Sequence, residues 1–161
     1  MEQAIFGAGC FWGVEAAFRQ VQGVHATTVG YQGGTVADPS YKLVCTGRTG
    51  HAEVVRVDFD PEQVSYDDLL AVFWASHDPT TINRQGPDVG TQYRSAIFCL
   101  DAAQRESAEA SKSVEDASGK RRGPIVTQIT KAAPFYAAED YHQQYLEKRG
   151  LASCHAHMQH A

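Results

Sequence analysis

Apolar and polar positions along the chain alternate between two periods, which predicts interleaved strands and helices. Gln3 to Phe6 reads as a short buried strand. From Phe11 to Val21 the apolar residues Val14, Ala17, Phe18 and Val21 return at helical spacing, so this stretch reads as a helix with one apolar face. His25 to Gln32 reads as a second strand, closed by Gly33-Gly34. Ala52 to Phe59 has period two: Val55, Val57 and Phe59 share one face, Val54, Arg56 and Asp58 the other, and Pro61 ends the run. Ser65 and Asp68 make a capping-box pattern, with Asp in place of the usual Glu or Gln. It opens a helix through Leu69, Leu70, Val72 and Phe73 to Ser76.

Residues 78–92 break the rhythm, with two prolines, two glycines and no period. A patternless stretch of this length inside a domain is more often functional than not. Beyond it, Tyr93 to Leu100 reads as a strand, Ala102 to Ala117 as a polar surface helix, Ile125 to Thr130 as a strand and Ala137 to Lys148 as a helix. This order predicts an α+β fold: a ferredoxin-like, split β-α-β core with a mixed sheet covered mainly on one face. No repeat or linker divides the chain, so residues 1–149 are expected to form one catalytic domain and residues 150–161 a flexible C-terminal tail.

Composition narrows the function classes. The chain has 161 residues, 43% of them hydrophobic, enough to need neither a disulfide scaffold nor a structural metal. With 14 Lys+Arg against 19 Asp+Glu, a net charge of −5 and no basic block beyond Lys120-Arg121-Arg122, it carries no electrostatic footprint for nucleic acid or an anionic membrane. It has no signal-peptide or membrane-span pattern, and the expected compartment is the cytoplasm. The four cysteines, at 10, 45, 99 and 154, contain no C-x-x-C pair. In a reducing compartment they stay thiols, so any that matter do so by reactivity.

Cys10, in Gly9-Cys10-Phe11-Trp12-Gly13, stands where a buried strand gives way to a helix. Orphan N–H groups and the helix dipole there favour the thiolate. The competing reading is a small core residue at a tight turn. Phe11 and Trp12 weigh against it, since two adjacent large aromatics cannot both face the core and at least one should line a hollow beside the sulfur. Glu53 shares parity with Val55, Val57 and Phe59. Either that strand end is wet, or the carboxyl group lies in a poorly solvated pocket that raises its pKa and makes it a proton donor. Tyr41 and Tyr93 border turns, as hydrogen-bond donors to a ligand oxygen or as rim residues. Asp88 reads locally as a turn aspartate. Cys154 and His155, His157 and His160 have a metal-like composition but no second half-site upstream, so no metal is expected; a thiol on a flexible tail can instead swing to another thiol.

Several motifs in register resemble the peptide methionine sulfoxide reductase A family. They are Gly-Cys-Phe-Trp-Gly at 9–13, Pro39-Ser40-Tyr41, Thr49-Gly50-His51-Ala52-Glu53-Val54-Val55, His77-Asp78-Pro79-Thr80, Asn83-Arg84-Gln85-Gly86, and Asp88 to Ser95. The resemblance implies that Cys10 attacks the sulfoxide sulfur while Glu53, with Tyr41, Tyr93 and Asp88, holds and protonates the departing oxygen. Phe11 and Trp12 would cradle the S-methyl group. Cys10 would be left as a sulfenic acid, which condenses with a second thiol. Many relatives carry a Gly-Tyr-Cys-Gly type resolving site where this chain has Leu151-Ala152-Ser153-Cys154-His155. Cys154 is the expected resolver, Cys45 the runner-up, and Cys99, in parity with Ile97, reads as core. The resemblance further implies the S epimer, free or in proteins, as substrate and thioredoxin as reductant, with no cofactor and a monomeric chain. The alternatives are a thiol peroxidase, which has no need of the aromatic hollow, and a metal-binding protein using the His-rich tail.

Overall fold

The computed structural model of the protein describes residues 1–150. Cys154 and the three tail histidines lie outside the described residues. The chain runs through β1 (Glu2–Ala8), α1 (Phe11–Arg19), β2 (Val24–Gln32), α2 (Tyr41–Val44), β3 (Ala52–Phe59) and α3 (Tyr66–Ala75). It continues through β4 (Arg84–Gln85), β5 (Asp88–Val89), a 3-10 turn at Thr91–Tyr93, β6 (Ser95–Cys99), α4 (Ala102–Ala117), β7 (Gln128–Lys131) and β8 (Tyr136–Ala137). A second 3-10 turn at Asp140–His142 and α5 (Tyr145–Lys148) complete it.

Six strands form one mixed sheet in the order β7-β6-β1-β3-β2-β8. Its inner four realise the expected ferredoxin-like core: β1-α1-β2 leaves a gap that β3 fills, and β3-α3-β6 leaves a gap that β1 fills. Pairing is antiparallel except between β6 and β7. Helices α1 and α3 cover one face. There Phe6 stacks on Phe18 at 5.1 Å and on Phe73 at 5.3 Å, over Val55, Val57 and Phe59. The Ser65–Asp68 capping box forms with both bonds at 3.0 Å.

The second face is drier than alternation implies. Val54 is fully buried beside Ile5, Ala96 and Phe98, and the chain around Ala132 and Phe135 packs over them. The Arg56 guanidinium lies 4.7 Å from the centre of the Phe135 ring.

Several expected elements change. Tyr93 belongs to a 3-10 turn rather than to β6, and the last main strand is Gln128–Lys131 rather than Ile125 to Thr130. The largest correction concerns Ala137 to Lys148, read as one helix. Tyr136 and Ala137 instead pair with the edge of β2, Gln144 has φ +52°, and α-helix occupies only Tyr145–Lys148. Tertiary hydrogen bonds outweigh helix propensity here. Gln143 spends its side-chain amide on the N–H and C=O of Val29, both at 2.9 Å, and the buried Glu15 carboxylate accepts from the Gln144 backbone N–H at 2.8 Å. Among the described residues no helix is long and apolar enough to cross a membrane.

Candidate functional site

β1 ends at Ala8, and Gly9, with φ +95°, turns the chain into α1. A Cβ at Gly9 would lie 2.8 Å from Gln85 Cγ, so both backbone and space demand glycine. Cys10 is the N-cap of α1 and is half-buried. The next residue begins the helix, and the Phe11 N–H donates to Glu53 Oε1 at 3.2 Å. Glu53 lies at the start of β3, opposite Tyr31 of β2, and is 1% exposed. The strand end is therefore dry, and the carboxyl group reaches the same helix terminus as the thiol.

Tyr41 arrives on α2, a single turn capped by Ser40, whose Oγ accepts from the Leu43 N–H at 3.2 Å. The Tyr41 N–H donates to Glu139 Oε2 at 3.1 Å, and the other oxygen of Glu139 accepts from the Tyr31 hydroxyl at 3.0 Å. Burial, then the nearby Glu53 carboxylate, pushes the Tyr41 phenol far above its ordinary pKa. Tyr93 is raised by the same two causes, with Cys45, Asp88 and Cys10 adding to the effect. Both phenols thus stay protonated as O–H donors, and Tyr93 stands within electrostatic reach of Cys10, Glu53 and Asp88. Asp88 is itself raised by burial.

The patternless segment proves to be ordered by side chains bonding to backbone. Asp78 and Gln85 exchange two bonds at 2.8 Å, N–H to Oε1 and Nε2–H to C=O. Arg84 and Val89 pair across the β4-β5 hairpin. The two ends of the segment are clasped by His77, whose Nδ1 meets the Phe73 carbonyl at 2.8 Å and whose Nε2 meets Ser95 Oγ at 2.7 Å. Burial lowers the His77 pKa to about 4, so the ring is neutral near pH 7.

Phe11 and Trp12 divide as two adjacent aromatics must. Phe11 is buried, and Trp12 is half-buried. Phe11 packs against Tyr41 at 6.2 Å and against His142 at 5.3 Å. The Trp12 indole N–H donates to His142 Nδ1 at 3.0 Å, and its ring stacks on Tyr145 at 3.8 Å. Glu139, His142 and Tyr145 all come from the stretch misread as one helix, which hid their part in the site. The available signal was the aromatic and polar run Tyr141-His142-Gln143-Gln144-Tyr145.

The remaining thiols differ. Cys45, at the exposed C-terminal end of α2, has its sulfur partly enclosed; burial pushes its pKa up, against an opposing hydrogen bond with Tyr41. Cys99 is 2% exposed in the core with Ile97, as expected, and burial raises its pKa as well. Among the described residues no three His, Cys, Asp or Glu side chains cluster as a metal site. The geometry suits nucleophilic attack by the Cys10 sulfur on a group held against the aromatic wall, with O–H donors for an oxygen.

A family model described as peptide methionine sulfoxide reductase matches residues 2–161. A relative named peptide methionine sulfoxide reductase MsrA, from Methanoculleus marisnigri, is 62% identical over 154 residues, 96% of this chain and 94% of its own length. Among solved structures, methionine sulfoxide reductase A of Corynebacterium diphtheriae superposes with a TM-score of 0.84 at 42% identity, covering 95% of this chain and 77% of that one. Reduced Mxr1 from Saccharomyces cerevisiae superposes with a TM-score of 0.86 at 36% identity, covering 92% and 86%. The chain belongs to the peptide methionine sulfoxide reductase family.

Proposed function

We propose that this chain reduces the S epimer of methionine sulfoxide, free or within proteins, to methionine, with Cys10 as nucleophile. The observation that carries the reading is the meeting of Cys10 and Glu53 at one helix terminus through the 3.2 Å Phe11–Glu53 bond. The Cys10 thiolate attacks the sulfoxide sulfur, whose methyl group rests against Phe11 and Trp12. Glu53 gives a proton to the oxygen, and the hydroxyl groups of Tyr41 and Tyr93 donate hydrogen bonds to it. Glu53 is 1% exposed, so bulk water does not compete for its carboxyl group. Asp88, raised by burial, supports the same corner of the pocket.

The step balances: sulfoxide and thiol give methionine and a Cys10 sulfenic acid, so the methionine sulfur is reduced by two electrons and the cysteine sulfur oxidised by two. A second thiol then displaces water to form a disulfide. We assign this role to Cys154, in a C-terminal segment 150–161 that follows the catalytic domain of residues 1–149. Cys45 is the weaker candidate: burial pushes its thiol pKa up, which disfavours the attacking thiolate. We assign thioredoxin as the dithiol that reduces the disulfide; yeast Mxr1 has been solved in complex with Trx2. Reactive thiols fit a reducing compartment such as the cytoplasm.

The test is turnover with separated sulfoxide epimers on wild type, Cys10→Ser and Cys154→Ser. The reading expects S-epimer turnover by wild type, none by Cys10→Ser, and a first turnover only by Cys154→Ser. Faster consumption of hydrogen peroxide than of either epimer would make the protein a thiol peroxidase instead.

A further inference from the structure

We propose that His51 is a positioning residue for the reaction: its imidazole closes the neck of the loop that carries Tyr41, and so fixes the Tyr41 hydroxyl relative to the Glu53 carboxyl group. This rests on the assignment of sulfoxide reduction to the Cys10 site.

Strands β2 and β3 pair as far as Gln32 and Ala52, and residues 33–51 connect them. This connection bears α2, with Tyr41 at its start and Cys45 at its end. The two ends of the connection lie against each other. The Thr35 N–H donates to the Thr49 carbonyl at 2.9 Å, and a Cβ on Gly34 would collide with that carbonyl and with the His51 backbone nitrogen. His51 is 2% exposed and bridges this neck with both ring nitrogens. Nδ1 accepts from the Gly34 N–H at 3.0 Å, and Nε2 lies 2.6 Å from the Val36 carbonyl oxygen.

A backbone N–H only donates and a carbonyl only accepts, so the tautomer is fixed: Nδ1 is bare and the proton sits on Nε2. A neutral imidazole offers one acceptor and one donor on a rigid ring, which matches an N–H and a C=O two residues apart. An apolar side chain would strip both backbone groups of their partner. Space filling alone therefore does not explain an imidazole here, whereas the clasp does.

The clasp joins two parts of the site. Val36, five residues before Tyr41, is tied to His51, two residues before Glu53. Between the neck and α2 the chain is mostly exposed, at Thr35, Ala37, Asp38 and Ser40, so few apolar contacts hold it. Hydrogen bonds at its two ends do so instead: the His51 clasp at the neck and the Tyr41 N–H to Glu139 at the start of α2.

The experiment compares His51→Leu, which removes both bonds, with His51→Asn, whose Oδ1 takes the place of Nδ1, and His51→Gln, whose Nε2–H takes the place of the ring Nε2–H. Single-turnover reduction of N-acetyl methionine S-sulfoxide is measured on each fully reduced variant, alone and combined with Tyr41→Phe. His51→Leu is expected to lower the saturating rate per folded chain about tenfold, as displacement of one hydrogen-bond donor does. The half-saturating concentration should change less than about twofold. Asn and Gln should each recover part of the rate. In the Tyr41→Phe background, replacing His51 should slow the reaction no further. A merely structural clasp would lower the urea midpoint and leave the rate per folded chain unchanged. In 15N-labelled wild type the His51 ring should carry its proton on Nε2. If the leucine variant fails to fold, the Asn and Gln variants, each keeping one bond, carry the comparison. A wild-type rate per folded chain in His51→Leu, or in both single-bond variants where leucine does not fold, would overturn the proposal. So would a loss that persists undiminished in the Tyr41→Phe background, or a proton on Nδ1 alone. Absence of product from the wild type would overturn the assignment beneath it instead.

Discussion

Phe11 and Glu53 are joined by a backbone N–H to carboxyl hydrogen bond of 3.2 Å. This bond brings the first amide of the helix that Cys10 caps onto the carboxyl group at the start of β3. It satisfies one of the orphan donors every helix start must place, and it uses for that purpose the group assigned to protonate the leaving oxygen.

Glu53→Gln tests the double role. The glutamine carbonyl can still accept the Phe11 N–H, so the variant should unfold at the same urea concentration as wild type. Its sulfoxide reduction should fall by about 10²-fold or more, the usual worth of a positioned acid. The remaining rate should drop further as pH rises, because protons must then come from solvent. An unchanged single-turnover pH profile would remove Glu53 from the role of acid.

Tyr41→Phe and Tyr93→Phe each delete one O–H donor whose pKa burial holds high. Each should slow single-turnover methionine formation about tenfold to a hundredfold, less than loss of a full oxyanion donor pair. Stability should barely move. Equal rates for wild type and the double variant would show that neither hydroxyl touches the oxygen.

Gly9→Ala asks a residue at φ +95° to carry a Cβ 2.8 Å from Gln85 Cγ. It should cost about 1–3 kcal/mol in urea unfolding. Because Gln85 also ties the loop that bears Asp88, activity should fall with stability. A variant as stable as wild type would contradict this turn geometry.

His77 makes stability depend on pH. Its pKa in the folded chain is about 4, below the ordinary 6.5, because of burial. Between those values the unfolded chain binds the extra proton, so stability rises with pH through this window and is lost as pH falls from 6.5 to 4. The difference corresponds to about 3 kcal/mol. Urea midpoints measured across the window should fall more steeply for wild type than for His77→Asn. Parallel curves would mean that the ring is hydrated.

Much of this architecture is legible in the sequence because it depends on local pattern. The period-two run at Ala52 to Phe59, the Ser65–Asp68 cap and the glycine before Cys10 all appear where pattern and turn chemistry place them. The parity of Glu53 left a choice between a wet strand end and a dry pocket, which burial at 1% exposure resolves. What was not legible depends on partners distant in sequence. Glu15 bonds to Gln144, Trp12 to His142 and Tyr41 to Glu139, each across about a hundred residues or more. These bonds override the helical pattern of Ala137 to Lys148 and assemble one wall of the site from it. The segment 78–92 has no period because its order comes from side chains bonding to backbone, as in the Asp78–Gln85 pair, which no apolar pattern encodes.

The central claim is that the Cys10 sulfur performs the reduction. The most direct test is the amount of methionine formed when the fully reduced chain meets excess methionine S-sulfoxide with no other reductant. The account predicts about one methionine per wild-type chain, formed in a burst, and none from Cys10→Ser. A burst of wild-type size from Cys10→Ser would contradict it.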